Sequence, residues 1–202
     1  MIDRTDEERI AAAITEVEKT TSGEIMVVIG RAASGYHLVP IVWAALIALA
    51  LPMLLLLVFS LTARRLYEIE WITFGVLAFV LSFGRYRYRL VPRWIKRGRA
   101  HEAAREQFLA RRISYTHART GILIYVALAE HFAELVPDAA VAELIDDASW
   151  KPVIERLTAK LREGRVGDGL VEAVESGGAI LASKLPPRPD HMNELPNKVV
   201  LL

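Results

Sequence analysis

The side chains of this chain that could do chemistry are few, and they gather around one stretch. Asp138 follows an apolar run, and Asp146 and Asp147 come eight and nine residues later. Carboxylates grouped in this way suit a hard divalent cation such as Ca²⁺ or Mg²⁺, which takes oxygen ligands and could hold a water or a phosphoryl oxygen. The plainer alternative is that Asp138 caps a helix starting at Ala139 and that Asp146 and Asp147 are solvated helix ends. The five histidines (37, 101, 117, 131 and 191) show no HxxxH or comparable spacing, so zinc is not expected. Gly164 to Gly169 (GRVGDG) precedes a helical pattern and could receive an anion at a helix N-terminus. It lacks the Lys-Ser/Thr ending of a nucleotide loop and reads as an interhelical turn. The chain has no Cys, which removes thiolate metal sites, Cys nucleophiles and disulfides together.

The elements that must position these residues are split by a long apolar insertion. The 202 residues are 53% apolar with a formal net charge of +1, yet between Arg31 and Arg64 lie 32 consecutive residues without a charged side chain. Leu38 to Ala63 is long enough to cross a bilayer, since about 20 helical residues suffice. Trp71 to Gly84 is shorter. It follows a short linker, ArgArgLeuTyrGluIleGlu, and has aromatic residues at both ends: Tyr67 and Trp71, then Tyr86 and Tyr88. The reading is a transmembrane helical hairpin over residues 36–90, with spans at about 38–63 and 68–86. Trp71, Tyr86, Tyr88, Arg85, Arg87 and Arg89 are its membrane-interface residues.

Charge sets the orientation. Residues 85–119 carry 11 basic and 2 acidic side chains, while 1–35 carry 4 and 7, 36–84 carry 2 and 2, and 120–202 carry 8 and 13. The basic excess after the second span places that side, and with it both termini and the soluble domain, in the cytoplasm of a plasma (inner) membrane protein. ArgTyrArgTyrArg (85–89) reads as anionic-lipid anchoring and not as nucleic-acid stacking. No span holds an ionisable residue, so an ion or proton pathway has no support.

The soluble pieces complete one another. A helical stripe through Ile10, Ala13, Ile14 and Val17, opened by a Thr5-x-x-Glu8 capping box, leads to a buried strand at Glu24–Ile29. One helix and one strand cannot bury a core alone. The C-terminal piece adds a basic helix over about 97–113, a buried strand at 121–128, and a half-exposed strand at 132–136 forming a hairpin. Three helices follow, two with stripes through Trp150, Val153, Ile154, Leu157, Leu161 and through Leu170, Val174, Gly177, Gly178, Leu181. The tail, 186–202, reads as Pro-rich and extended.

ThrThrSerGlyGlu before the first strand, ArgThrGlyIleLeuIleTyrValAlaLeuAlaGluHis (119–131), PheAlaGluLeuValProAsp (132–138), Trp150 and Gly169 occur in the order seen in the TPM domain family. Over residues 5–30 and 100–185 the chain resembles this family, and its tail is similar to a bacterial subgroup with an inserted transmembrane pair. The family includes thylakoid-lumen proteins linked to photosystem repair and an animal receptor accessory protein. The resemblance implies an α/β/α Rossmann-like sandwich without a dinucleotide fingerprint, assembled from residues 1–35 and 91–185. For some members it also implies acid-phosphatase activity and Ca²⁺ or Mg²⁺ binding, which would fall on Asp138 and Glu24 as metal ligands. Arg119-Thr120 stands where such members place an acidic-Asn pair. The sequence therefore favours a non-enzymatic accessory or assembly module for another membrane protein, in contact with the lipid bilayer. The alternatives are a divalent-metal-dependent phosphatase and an anionic-lipid-binding scaffold.

Overall fold

The computed structural model describes residues 2–36, 38–83, 91–116, 118–188 and 193–202. The chain divides into two compact units, one of residues 1–33 with 97–202 and one of residues 34–96.

The larger unit is built on a four-stranded mixed sheet in the order β3-β2-β1-β4. β1 (Glu24–Gly30) and β2 (Gly121–Ala127) are parallel and buried along their whole lengths. Their near-continuous β-branched and aliphatic runs suit strands covered on both faces. β3 (Phe132–Pro137) returns antiparallel to β2. It buries Ala133 and Leu135 and leaves Phe132, Glu134 and Val136 half-exposed, the alternation its sequence shows. β4 (Val199–Leu201) pairs parallel with the other edge of β1. This strand lies in the segment whose prolines suggest only an extended tail.

Alternation along the strands feeds two cores. On one face Ile25, Val27, Ile29, Ile122, Ile124 and Val126 meet α1 (Arg4–Glu18), α5 (Ala139–Leu144), α6 (Asp147–Arg162) and α7 (Val166–Lys184). Each aliphatic side chain buried there contributes about 1.5–3 kcal/mol. On the other face Met26, Val28, Leu123, Tyr125 and Ala127 pack with Ala104 of α4 (Arg93–Ala110), Ile113 of a 3₁₀ turn (Ile113–Tyr115), and Leu195. Helix α1 starts two residues earlier than the Thr5-x-x-Glu8 pattern suggests, because Asp3 is the N-cap and accepts the Asp6 N–H at 2.8 Å. The expected stripes of α6 and α7 face the first core as read, with Ile154 partly buried.

The smaller unit contains α2 (Leu38–Val58) and α3 (Ala63–Ser82), packed on each other. Helix α2 continues through Pro52 and has no charged residue. Among the described residues it is the one helix long and apolar enough to cross a membrane by length and composition. The expected boundaries shift: α2 stops at Val58 and not near 63, and Arg64–Glu70, read as a linker, is helical. An Arg64–Glu68 ion pair at 3.0 Å spans one turn of α3 there. Those charges keep α3 outside the same apolar class, so two spans are not established. Trp71 therefore stands about 12 Å into α3, edge-on to Phe74 with ring centroids 6.4 Å apart, and not at a helix end. Arg85, Tyr86, Arg87, Tyr88 and Arg89 lie outside the described residues.

Candidate functional site

The chemistry-bearing residues meet where β1 and β2 begin and β3 ends. The loop before β1 is tied on three sides. Thr21 Oγ1 donates to the Leu185 carbonyl at 2.7 Å and accepts the Gly23 N–H at 3.0 Å. The Ser22 carbonyl accepts from Thr120 Oγ1 at 2.9 Å, and the Thr120 carbonyl accepts the Glu24 N–H at 3.2 Å. Thr120, at the position the resemblance marks for an acidic-Asn pair, thus joins the two strand entries and is 4% exposed. Ser22 Oγ, beside it in the chain, is buried without a hydrogen-bond partner.

Asp138 is fixed by its own backbone, whose N–H donates to the Gly121 carbonyl at 2.9 Å. Its Oδ1 accepts the Ala139 N–H at 2.6 Å, so it is the N-cap of α5. Its Oδ2 is buried and has no hydrogen-bond partner among the described residues. Asp146 is the N-cap residue of α6 and Asp147 its first residue, both exposed. The structure does not bring those two into the buried group.

Glu24 is 1% exposed. Its Oε1 accepts the Glu194 N–H at 3.2 Å and its Oε2 the Leu195 N–H at 2.8 Å. A carboxylate in that position holds the returning segment against the sheet. Glu18 lies beside it, its Oε1 accepting the Ile25 N–H at 3.1 Å and its Oε2 facing Asn193 Nδ2 at 3.4 Å. Burial pushes the Glu18 carboxyl up to about 7, and the charge of Glu24 acts in the same direction. Glu18 stands four residues after Ile14, on the buried stripe of α1. A carboxylate at a core position was the available sequence signal for it. Nothing comparable marks Asn193–Leu195. Among the described residues, no three His, Asp or Glu side chains are grouped to hold a metal ion.

The glycine-rich turn meets an internal anion. A Cβ on Gly167, in the first turn of α7, would fall 2.1 Å from Asp6 Oδ1. The carboxylate of Asp6 thus takes the place at this helix N-terminus that an external anion would need. Asp168 is held by Arg9 at 2.9 Å and by Arg165 at 3.2 Å, and these partners keep its carboxyl below the ordinary range. At the other end of the strands, His101 Nδ1 and Glu134 Oε1 lie 2.6 Å apart, and Glu130 Oε1 accepts the Ala33 N–H at 3.1 Å. Burial, with the nearby charges of Glu130 and Glu106, pushes the Tyr125 hydroxyl up to about 12.

These features define an α/β domain with helices on both faces of a mixed sheet and a polar, tightly bonded strand entry, interrupted after β1 by a helical pair. The TPM domain family model matches residues 90–180 of the chain. No curated protein matches it. The NMR structure of BA42 protein from the psychrophilic bacterium Bizionia argentinensis is similar at 19% identity, with a TM-score of 0.63, covering 100% of this chain and 96% of that one. At that identity the likeness speaks for the fold alone.

Proposed function

We propose that this protein is a membrane-anchored TPM domain that acts as an accessory or assembly module for another membrane protein of the plasma (inner) membrane, with its α/β unit on the cytoplasmic side. The observation that carries this reading is α2. Its 21 residues lack any charge, and it leaves large apolar side chains such as Leu49, Met53 and Leu57 more than 70% exposed. Water would penalise such a surface, and hydrocarbon would not. Alkaline carbonate extraction of native membranes tests it: the chain is expected to stay in the pellet and to copurify with a membrane partner after detergent solubilisation. Release into the supernatant would overturn the anchor. It would favour the lipid-scaffold reading, whose support is the exposed Arg93, Trp94, Arg97, Arg99 and Arg105 of α4.

A second reading, a Ca²⁺- or Mg²⁺-dependent phosphatase using Asp138 and Glu24, draws support from the unpartnered, buried Asp138 Oδ2. A buried acceptor left alone costs about 1–3 kcal/mol, and a cation would relieve it. Each Glu24 oxygen already accepts one N–H, from Glu194 or Leu195, which leaves it a single further acceptor site with which to join. The accessory reading expects no cation-dependent phosphomonoester hydrolysis by the purified chain. Asp138→Ala should then lose only the cap, about 1 kcal/mol of stability. Turnover that depends on both the cation and Asp138 would overturn it.

A further inference from the structure

We propose, resting on the reading that α2 spans the bilayer, that the groove between α2 and α3 receives a partner's transmembrane helix that carries one Lys or Arg near its middle, held by the Glu70 carboxylate. Ala44 and Ala48 are buried where α2 lies on α3, and small side chains at that spacing let two helices approach closely. Beside this contact, a groove of about 200 Å³ is lined by Ala45, Ala48 and Leu49 of α2 and by Glu70, Trp71 and Phe74 of α3. Glu70 is half-buried and is the one ionisable side chain of that lining. Among the described residues no ion pair reaches it. Arg64 is committed to Glu68 at 3.0 Å. Arg65 is exposed and points about 140° away around the axis of the same helix.

Depth and chemistry together select the occupant. Ala48 is the middle residue of the 21 in α2, about 15 Å from either end. A groove that Glu70 shares with Ala48 therefore lies toward the middle of the hydrocarbon when α2 spans it. In a linker Glu70 would meet water, but α3 starts at Ala63 and carries it about 10 Å into the helix pair. An ionisable side chain at that level is unfavourable unless it faces a partner group. Trp71 lines the same groove, edge-on to Phe74 with ring centroids 6.4 Å apart. A carboxylate beside an indole ring recognises a cation, by ion pairing and by attraction to the ring face. The amine or choline of a lipid stays with the headgroups, far from the level of Ala48. A second copy of this chain, inserted with the same orientation, would bring a like charge to the same depth. Its Arg64 and Arg65 would lie about 8–9 Å closer to the turn between the helices. A different helix with a basic residue near its centre meets the depth, the charge and the apolar walls at once.

The full chain, reconstituted in phosphatidylcholine vesicles, is tested with Leu/Ala transmembrane peptides of about 21 residues that carry Lys, Leu or Glu at the centre, or Lys near one end. The chain has no Cys, so Ser60→Cys, between α2 and α3, takes a single donor dye, and energy transfer to an acceptor on the peptide reads association. The central-Lys peptide is expected to associate roughly 3- to 30-fold more tightly than the central-Leu peptide, with the central-Glu and end-Lys peptides no tighter than Leu. Glu70→Gln should lose the preference for Lys, and Glu70→Lys should pass it to the central-Glu peptide. Equal association of the Lys and Leu peptides, the result if lipid fills the groove, would overturn the proposal. So would a Lys preference that persists in Glu70→Gln, or Glu70-dependent transfer between donor- and acceptor-labelled copies of the chain without peptide. Carbonate extraction of the same vesicles separates the two levels: release of the chain would overturn the anchor and this occupant together, whereas retention without peptide discrimination overturns the occupant alone. Should the Glu70 variants fail to insert, the ranking of the four peptides on the wild-type chain decides.

Discussion

Gly178→Val is expected to destabilise the α/β unit by about 2–4 kcal/mol, enough to lower its unfolding midpoint by several degrees. A Cβ on Gly178 would fall 2.0 Å from Cγ1 and 2.9 Å from Cγ2 of Val17, where α7 lies against α1. Val17 is β-branched, so no rotamer carries both methyl groups away. The two helices must separate, and that opens the core layer holding Ile10, Ile14, Val174 and Leu181. Helix propensity acts the other way, since removing a mid-helix glycine normally gains up to about 1 kcal/mol. The clash outweighs it because close-packed interiors do not yield by an ångström without losing contacts across the layer. Gly98 of α4 isolates the propensity effect: a Cβ there meets nothing within 4 Å, so Gly98→Ala should be neutral or mildly stabilising. Thermal unfolding in detergent, followed by near-ultraviolet circular dichroism, checks both. Adding Val17→Ala to Gly178→Ala should recover most of the loss that Gly178→Ala shows alone. Additivity of the two would show that the contact is not the cause.

That contact explains Gly178 on the apolar stripe of α7, a placement legible in the sequence. So were β1, β2 and the β3 hairpin, because strands buried on both faces or alternating on one announce themselves through side-chain type. The N-cap role of Asp138 was legible too, through its position before an apolar helical pattern. β4 was not. Val199-Val200-Leu201 is too short to carry a period, and the segment leading into it is held by a carboxylate some 170 residues away. The family resemblance points to Glu24 as a ligand because it matches an acidic position near the first strand. Its partners among the described residues include the backbone N–H groups of Glu194 and Leu195, which no side-chain pattern reveals. The apolar stretch that forms α2 was legible, but the boundary of α3 was not. Arg64 to Glu70 carry charge at i, i+4 spacing, which serves a helix as well as it serves a loop.

Glu24→Leu is the second large effect, and it bears on what that carboxylate is for. Leucine suits this strand, whose alternate residues Met26 and Val28 lie in the second core with Leu123 and Leu195. It leaves the Glu194 and Leu195 N–H groups with no acceptor, at about 1–3 kcal/mol for each that stays buried. The chain avoids part of that cost by releasing residues 193–202 to water. The expected outcome is therefore a loss of about 2–4 kcal/mol, with exchange protection at Leu202 abolished and β2 still protected. Glu24→Gln keeps one acceptor oxygen and should cost on the order of half as much. A ligand role predicts a different pattern. If Glu24 served a cation together with Asp138, millimolar Ca²⁺ or Mg²⁺ would raise the unfolding midpoint of the wild-type chain with increasing concentration, by linkage to the folded state. That rise would vanish in both Glu24→Gln and Asp138→Ala. A strut predicts the opposite on each count: no cation-dependent rise in the wild type, and a destabilised Glu24→Leu whose deficit is the same with or without cation. The two carboxylates also separate by readout, because Asp138→Ala should unfasten the start of α5 and leave the Leu195 and Leu202 amides protected. Loss of protection there in Asp138→Ala would mean that the strand entry responds as one unit, with Glu24 no more specific to the returning segment than its neighbours.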